Sequence, residues 1–133
     1  MTTVLTFGTF DIFHLGHEHY LREAKKHGER LVTVIGRDQT VYHLKGKKPK
    51  YDENTRKKIV EESGIPDKVV LGDLESYYAC IIEQEADIIC LGYDQRHLAD
   101  GLEQFLKVHQ LNLKIIRLDP FQPEKYKSSK LNI

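Results

Sequence analysis

Short apolar runs alternate with amphipathic stretches from one end of this chain to the other. Val4-Leu5-Thr6-Phe7, Leu31–Ile35, Lys68–Leu71, Asp87–Leu91 and Leu113–Leu118 predict five strands. Between them, Gly16 to about His27, Asp52 to about Glu62, Glu75 to about Gln84 and His97 to His109 predict helices. Asp52 is placed as an N-cap, and Gly64-Ile65-Pro66 stops the helix it opens. Residues 37–51 read as a polar, basic loop, and 119–127 as a loop with two prolines before a last helical turn from Ser128. The strands are apolar along their length, as strands buried on both faces are. An α/β architecture follows, a five-stranded parallel sheet flanked by helices. Ligands of such sheets bind outside the carboxyl ends of the strands. Phe7-Gly8, Ile35-Gly36, Leu71-Gly72 and Leu91-Gly92 mark four of those ends.

Size and charge narrow the picture. The chain of 133 residues predicts a single domain over 1–133. Lys+Arg and Asp+Glu balance at 20 each, which argues against nucleic-acid and membrane partners. No apolar run reaches the length of a membrane span, and the start lacks the charged region of a signal peptide, so a cytoplasmic protein is expected. Cys80 and Cys90 match no metal or redox spacing and read as buried, reduced thiols.

The candidate chemistry is concentrated in the first strand–helix turn, Gly8-Thr9-Phe10-Asp11-x-x-His14-x-Gly16-His17. Gly8 permits a sharp exit from the strand and close approach of backbone to a ligand. Thr9 and Phe10 offer N–H groups. His14 and His17, three apart, share one helix face, and Gly16 leaves room beside the helix start. Free N–H groups and positive partial charge at a helix N-terminus suit phosphates. Placed imidazoles and ammonium groups would stabilise charge as a nucleophile attacks the α-phosphorus of a nucleoside triphosphate. A lone histidine after a strand is commonly a cap or a surface residue; the pair with both glycines and Asp11 points to phosphate chemistry. Asp11 itself fits a carboxylate bonding backbone N–H groups of the turn.

This stretch resembles the signature of the HIGH-motif nucleotidyltransferases. That group includes cytidylyltransferases, adenylyltransferases and archaeal-type FAD synthetases, and the resemblance covers nearly the whole chain. It implies a Rossmann-like nucleotidyltransferase fold, often dimeric, that joins a nucleotide to a phosphorylated acceptor and releases pyrophosphate with Mg²⁺. It implies catalytic roles for His14, His17 and Lys47. It implies nucleotide contacts from Gly8, Thr9, Phe10, Leu15, Gly16, Lys45, Gly92, Asp94, Gln95, Tyr126, Ser128 and Ser129. Asp11 and Arg56 would face the acceptor or the phosphates, with an exposed helix arginine as the plain alternative for Arg56. Within Lys45-Gly46-Lys47-Lys48-Pro49, one lysine, Lys45 or Lys47, would reach the triphosphate. Lys127-Ser128-Ser129-Lys130 would open a last helix around the β- and γ-phosphates. With the sequence ending at Ile133, that clamp has about one helical turn behind it.

Substrate choice is read from the differences. Glycerol-3-phosphate cytidylyltransferases carry an Arg-Thr pair before the Ser/Thr segment, and Pro120–Tyr126 lacks it. Gly92-Tyr93-Asp94-Gln95, Arg37-Asp38 and the lysine loop look more like the archaeal-type FAD synthetases. ATP is therefore expected over CTP, and FMN as the acceptor before glycerol 3-phosphate or another phosphorylated alcohol. A non-catalytic nucleotide-binding module is a competing reading. A plain dinucleotide-binding domain is disfavoured, because it needs Gly-x-Gly-x-x-Gly after the first strand.

Overall fold

The computed structural model describes residues 1–92 and 95–119. The element order is β1 (Thr3–Gly8), α1 (Leu15–Lys25), β2 (Arg30–Ile35), α2 (Asp38–Lys45), α3 (Glu53–Glu62), β3 (Lys68–Leu71), α4 (Ala79–Glu83), β4 (Ile88–Leu91), α5 (Arg96–Val108) and β5 (Lys114–Arg117). The five strands form one parallel sheet in the order β3-β2-β1-β4-β5. The chain runs outward from β1 through β2 to β3, then returns to the other side of β1 at β4. The gap between β1 and β4 is thus the topological switch point, where crevices form in such sheets.

Each face of the sheet carries its own core. Leu5, Phe7, Val34, Ile89 and Leu91 pack with Ile81 of α4 and Leu98, Leu102 and Leu106 of α5. On the other face, Val4, Leu31, Ile35, Val69 and Cys90 pack with Leu21 and Ala24 of α1 and Val60 of α3. Burial pushes the Cys80 and Cys90 thiols up to about 11 and about 12, so both stay protonated. Among the described residues, no helix is long and apolar enough to cross a membrane.

Two expectations are corrected. Residues 38–45 are helical, not loop. Val41 is the one buried residue of α2, so no apolar stripe announces it in the sequence. Polar links hold it instead: Glu53 accepts from Asp38 N–H at 2.9 Å and from Arg37 at 2.8 Å. Gly46, left-handed at φ 76°, ends the helix and was its legible stop signal. The helix expected from Glu75 begins only at Ala79. The Asp73 carboxylate takes the N–H groups of Glu75 (2.8 Å) and Ser76 (3.1 Å), which folds that segment as a turn. Asp52 does cap α3, accepting from Thr55 N–H at 2.7 Å.

Candidate active site

The first turn is built by mutual packing of its own residues. A Cβ on Gly8 would lie 2.6 Å from Cζ of Phe10, so the glycine makes room for that ring. Phe10 is buried and held at φ 52°, a left-handed conformation that a side chain seldom adopts. Its ring meets His17 edge-on at 5.1 Å and Phe13 at 6.3 Å. Backbone strain of this kind persists only where packing over-determines it.

The two histidines cap α1. His14 is the N-cap in extended conformation, and its Nδ1 accepts from Gly16 N–H at 3.1 Å. His17 Nδ1 accepts from His14 N–H at 3.3 Å, closing a reciprocal capping box. Because each Nδ1 is an acceptor, this pattern assigns the proton of each neutral imidazole to Nε2. The rings stack with centroids 3.8 Å apart. Burial, then the neighbouring His14, then Lys45 hold the His17 pKa down at about 3. His17 is therefore a neutral N–H donor at pH 7.

The lysine loop is fastened to this turn from a distance. Asp11 accepts from Lys50 N–H at 2.7 Å and from Tyr51 N–H at 2.9 Å. It bonds backbone N–H groups, but those of the segment after the loop rather than of its own turn. Lys45 and Lys47 are exposed, and no ion pair involves either among the described residues. Lys45 ends α2 close enough to depress His17.

Arg56 departs from the reading of it as an exposed helix arginine: its side chain is fully buried. Its guanidinium is engaged by the protein on three sides. Nε donates to the Tyr51 carbonyl (2.9 Å), and the terminal nitrogens to the Thr9 carbonyl (2.8 Å) and the Asp38 carboxylate (2.7 Å). It joins α3 to the first turn and to α2. Leu15, the first residue of α1, is half-exposed, and Gly16 follows it. Across the switch point, Gly92 N–H donates to Gln95 Oε1 at 2.8 Å. Asp94, Tyr126, Ser128 and Ser129 lie outside the described residues.

The structure thus brings Gly8, Thr9, Phe10, Asp11, His14, Gly16 and His17 together, and fastens the lysine loop beside them through Asp11. Sequence reasoning passed over Tyr20, one turn beyond His17 on α1, whose hydroxyl donates to the Cys90 carbonyl at 2.8 Å. Its only local signal was a polar-tipped ring on the apolar stripe of the helix.

A family model described as cytidylyltransferase-like matches residues 5–131. The chain belongs to the cytidylyltransferase-like family. It is a nucleotidyltransferase, and the parallel-sheet fold expected from the strand pattern and the enzyme class expected from the first turn hold. The chain is similar to the FAD synthase of Thermoplasma acidophilum, 42% identical over 91% of this chain and 84% of that protein. It is also similar to the FAD synthase of Aciduliprofundum boonei, 39% identical over 99% and 85% of the two chains. A solved structure, described as a lipopolysaccharide core biosynthesis protein from Thermoplasma volcanium, superposes with a TM-score of 0.85. It is 39% identical and covers 92% of this cytidylyltransferase-like chain and 99% of its own.

Proposed function

We propose that this enzyme transfers AMP from ATP to FMN, forming FAD and pyrophosphate. An oxygen of the FMN phosphate attacks the α-phosphorus of ATP. A new P–O–P link forms, the bond between the α-phosphorus and the α,β-bridging oxygen breaks, and pyrophosphate leaves with the bond pair. The observation that carries this reading is the pair of stacked histidines capping α1, each with its Nδ1 accepting a backbone N–H and its Nε2 left as the donor. Two N–H donors at a helix N-terminus suit the charge that develops on the equatorial and leaving oxygens. The similarity to FAD synthases over most of the chain supports adenine and flavin as the substrates.

His14 and His17 donate to the triphosphate, and Lys45 or Lys47 reaches its departing end. Gly8, Thr9, Phe10, Leu15 and Gly16 form the wall behind it; Gly92 and Asp94 take the ribose or base, Tyr126 stacks on adenine, and Ser128 and Ser129 hold the β- and γ-phosphates. Asp11 and Arg56 act by holding this wall in place. The described residues contain no cluster of three metal-ligating side chains. Mg²⁺ would therefore enter with ATP, held by the nucleotide rather than by a protein cage, and would neutralise charge on pyrophosphate. On the same reading, residues 1–133 work as one domain of a cytoplasmic homodimer, with no nucleic-acid or membrane partner.

A pyrophosphate-release screen crossing ATP and CTP with FMN, glycerol 3-phosphate and other phosphorylated alcohols tests the reading. Turnover with ATP and FMN is expected. Turnover only with CTP, or nucleotide binding without turnover on any acceptor, would overturn it. His14→Ala and His17→Ala should each lose about a hundredfold in kcat, the effect of removing one transition-state donor. Unchanged rates in both would remove the histidines from the mechanism.

A further inference from the structure

Three of the four strand pairings run to their strand ends: Gly8↔Ile35, Ile35↔Leu71 and Leu91↔Arg117. The β1–β4 pairing stops early, at Thr6↔Cys90, although β1 continues to Gly8 and β4 to Leu91. At that point the two strands are joined by side chains. Gln95 Nε2 donates to the Phe7 carbonyl at 2.7 Å, and Gln95 Oε1 accepts from Gly92 N–H at 2.8 Å. A primary amide is set between the strands as an inserted peptide group, one donor toward β1 and one acceptor toward β4. These two partners fix which way the amide points. The Tyr20 hydroxyl lies beneath, 2.8 Å from the Cys90 carbonyl, 3.2 Å from Gln95 Oε1 and 3.4 Å from the Phe7 carbonyl. α1 therefore reaches the same wedge that joins β1 to β4.

We infer that Gln95 and Tyr20 are positioning residues that hold the switch-point crevice at a set width, so that the β1 turn and the turn after β4 grip one nucleotide together. This assigns Gln95 a role different from direct nucleotide contact, since both ends of its amide are engaged by the protein. The inference rests on the proposed nucleotidyl transfer only in naming the ligand that spans the crevice. Phe7 leads into Gly8 and the histidine turn, and Gly92 leads into Asp94. A nucleotide whose phosphates lie at the first turn and whose ribose or base lies at the second needs both at a fixed separation. The acceptor, which need not touch both turns, depends on that separation less.

The test uses the full chain carrying Gln95→Met, Tyr20→Phe, or both. Methionine keeps the length and loses the amide; phenylalanine keeps the ring and loses the hydroxyl. Gln95→Met should raise the KM and Kd for ATP about tenfold, in line with the loss of two hydrogen bonds. The KM for FMN should stay within about twofold, since no bond at that substrate is altered. Tyr20→Phe should raise the ATP constants less, and the double variant should fall short of the product of the two, because they share one network. Amide exchange at Gly92 should quicken in Gln95→Met, while exchange at Val34 stays as in the wild type. Equal rises in both substrates' KM would mark a general loss of structure and overturn the inference, as would unchanged ATP affinity or unchanged Gly92 exchange. If the wild type binds no ATP, the proposed activity falls instead; if it makes FAD and Gln95→Met matches it, only the crevice role falls.

Discussion

His17 is where burial, charge and hydrogen bonding meet in one side chain. An imidazolium there would lie against a second imidazole, near the Lys45 ammonium, at the positive end of α1; the buried ring stays neutral instead. The stability consequence has a definite sign. The unfolded histidine takes up a proton below about pH 6.5, whereas the folded one resists it down to about pH 3. Between those values the unfolded state holds more protons, so stability falls as pH falls. Urea denaturation from pH 7 to pH 4.5 should show a decline that His17→Asn flattens; an equal slope in the variant would contradict the neutral imidazole. Gly8 offers a second test at this scale. Gly8→Ala sets a methyl against the buried Phe10 ring, which the positive-φ backbone and His17 prevent from yielding. A cost of about 2 kcal/mol is expected, in the range for overpacking, measured as a lowered denaturation midpoint.

At the scale of elements, the polar ties between α2, α3 and the first turn decide where the lysines sit. Arg56 alone links three segments, so Arg56→Met leaves Asp38 without its buried cationic partner and the Thr9 and Tyr51 carbonyls without a donor. Removing one partner of such a pair should cost about 3 kcal/mol by chemical denaturation. Asp11 fastens the other side of the same loop. Asp11→Ala frees the N–H groups of Lys50 and Tyr51, so trypsin should cut after Lys47 or Lys50 roughly tenfold faster, the scale of losing charge-assisted hydrogen bonds. An unchanged cleavage rate would show that the loop is held by something other than Asp11. Helices α1, α3 and α5 were legible because an apolar periodicity or an N-cap announces them. Helix α2 was not, because what stabilises it lies on α3, in Glu53 and Arg56, whose partners on α2 meet them only when the fold closes.

For the whole molecule, strand order places the first turn and Gly92, among the described candidate residues, at the same edge of the sheet. Placing β1 at the centre of β3-β2-β1-β4-β5 puts the histidine turn beside the β4 turn and leaves β3 and β5 at the rims. Five strands, their parallel character and the histidine turn could be read from the chain itself, because each is written in a few consecutive residues. Hydrophobic runs of four to six residues make a strand, and one strand–turn–helix passage carries both imidazoles. Tertiary structure alone decided the partners of the polar side chains. Asp11 meets backbone groups 39 and 40 residues away, Arg56 meets Thr9 across 47, and Gln95 meets Phe7 across 88. No local pattern encodes such pairings, since a buried amide or guanidinium takes whichever acceptor the packed strands present to it. The sequence determined which bond the first turn is suited to make; the folded chain decided which side chains join β1 to the end of β4 beside it.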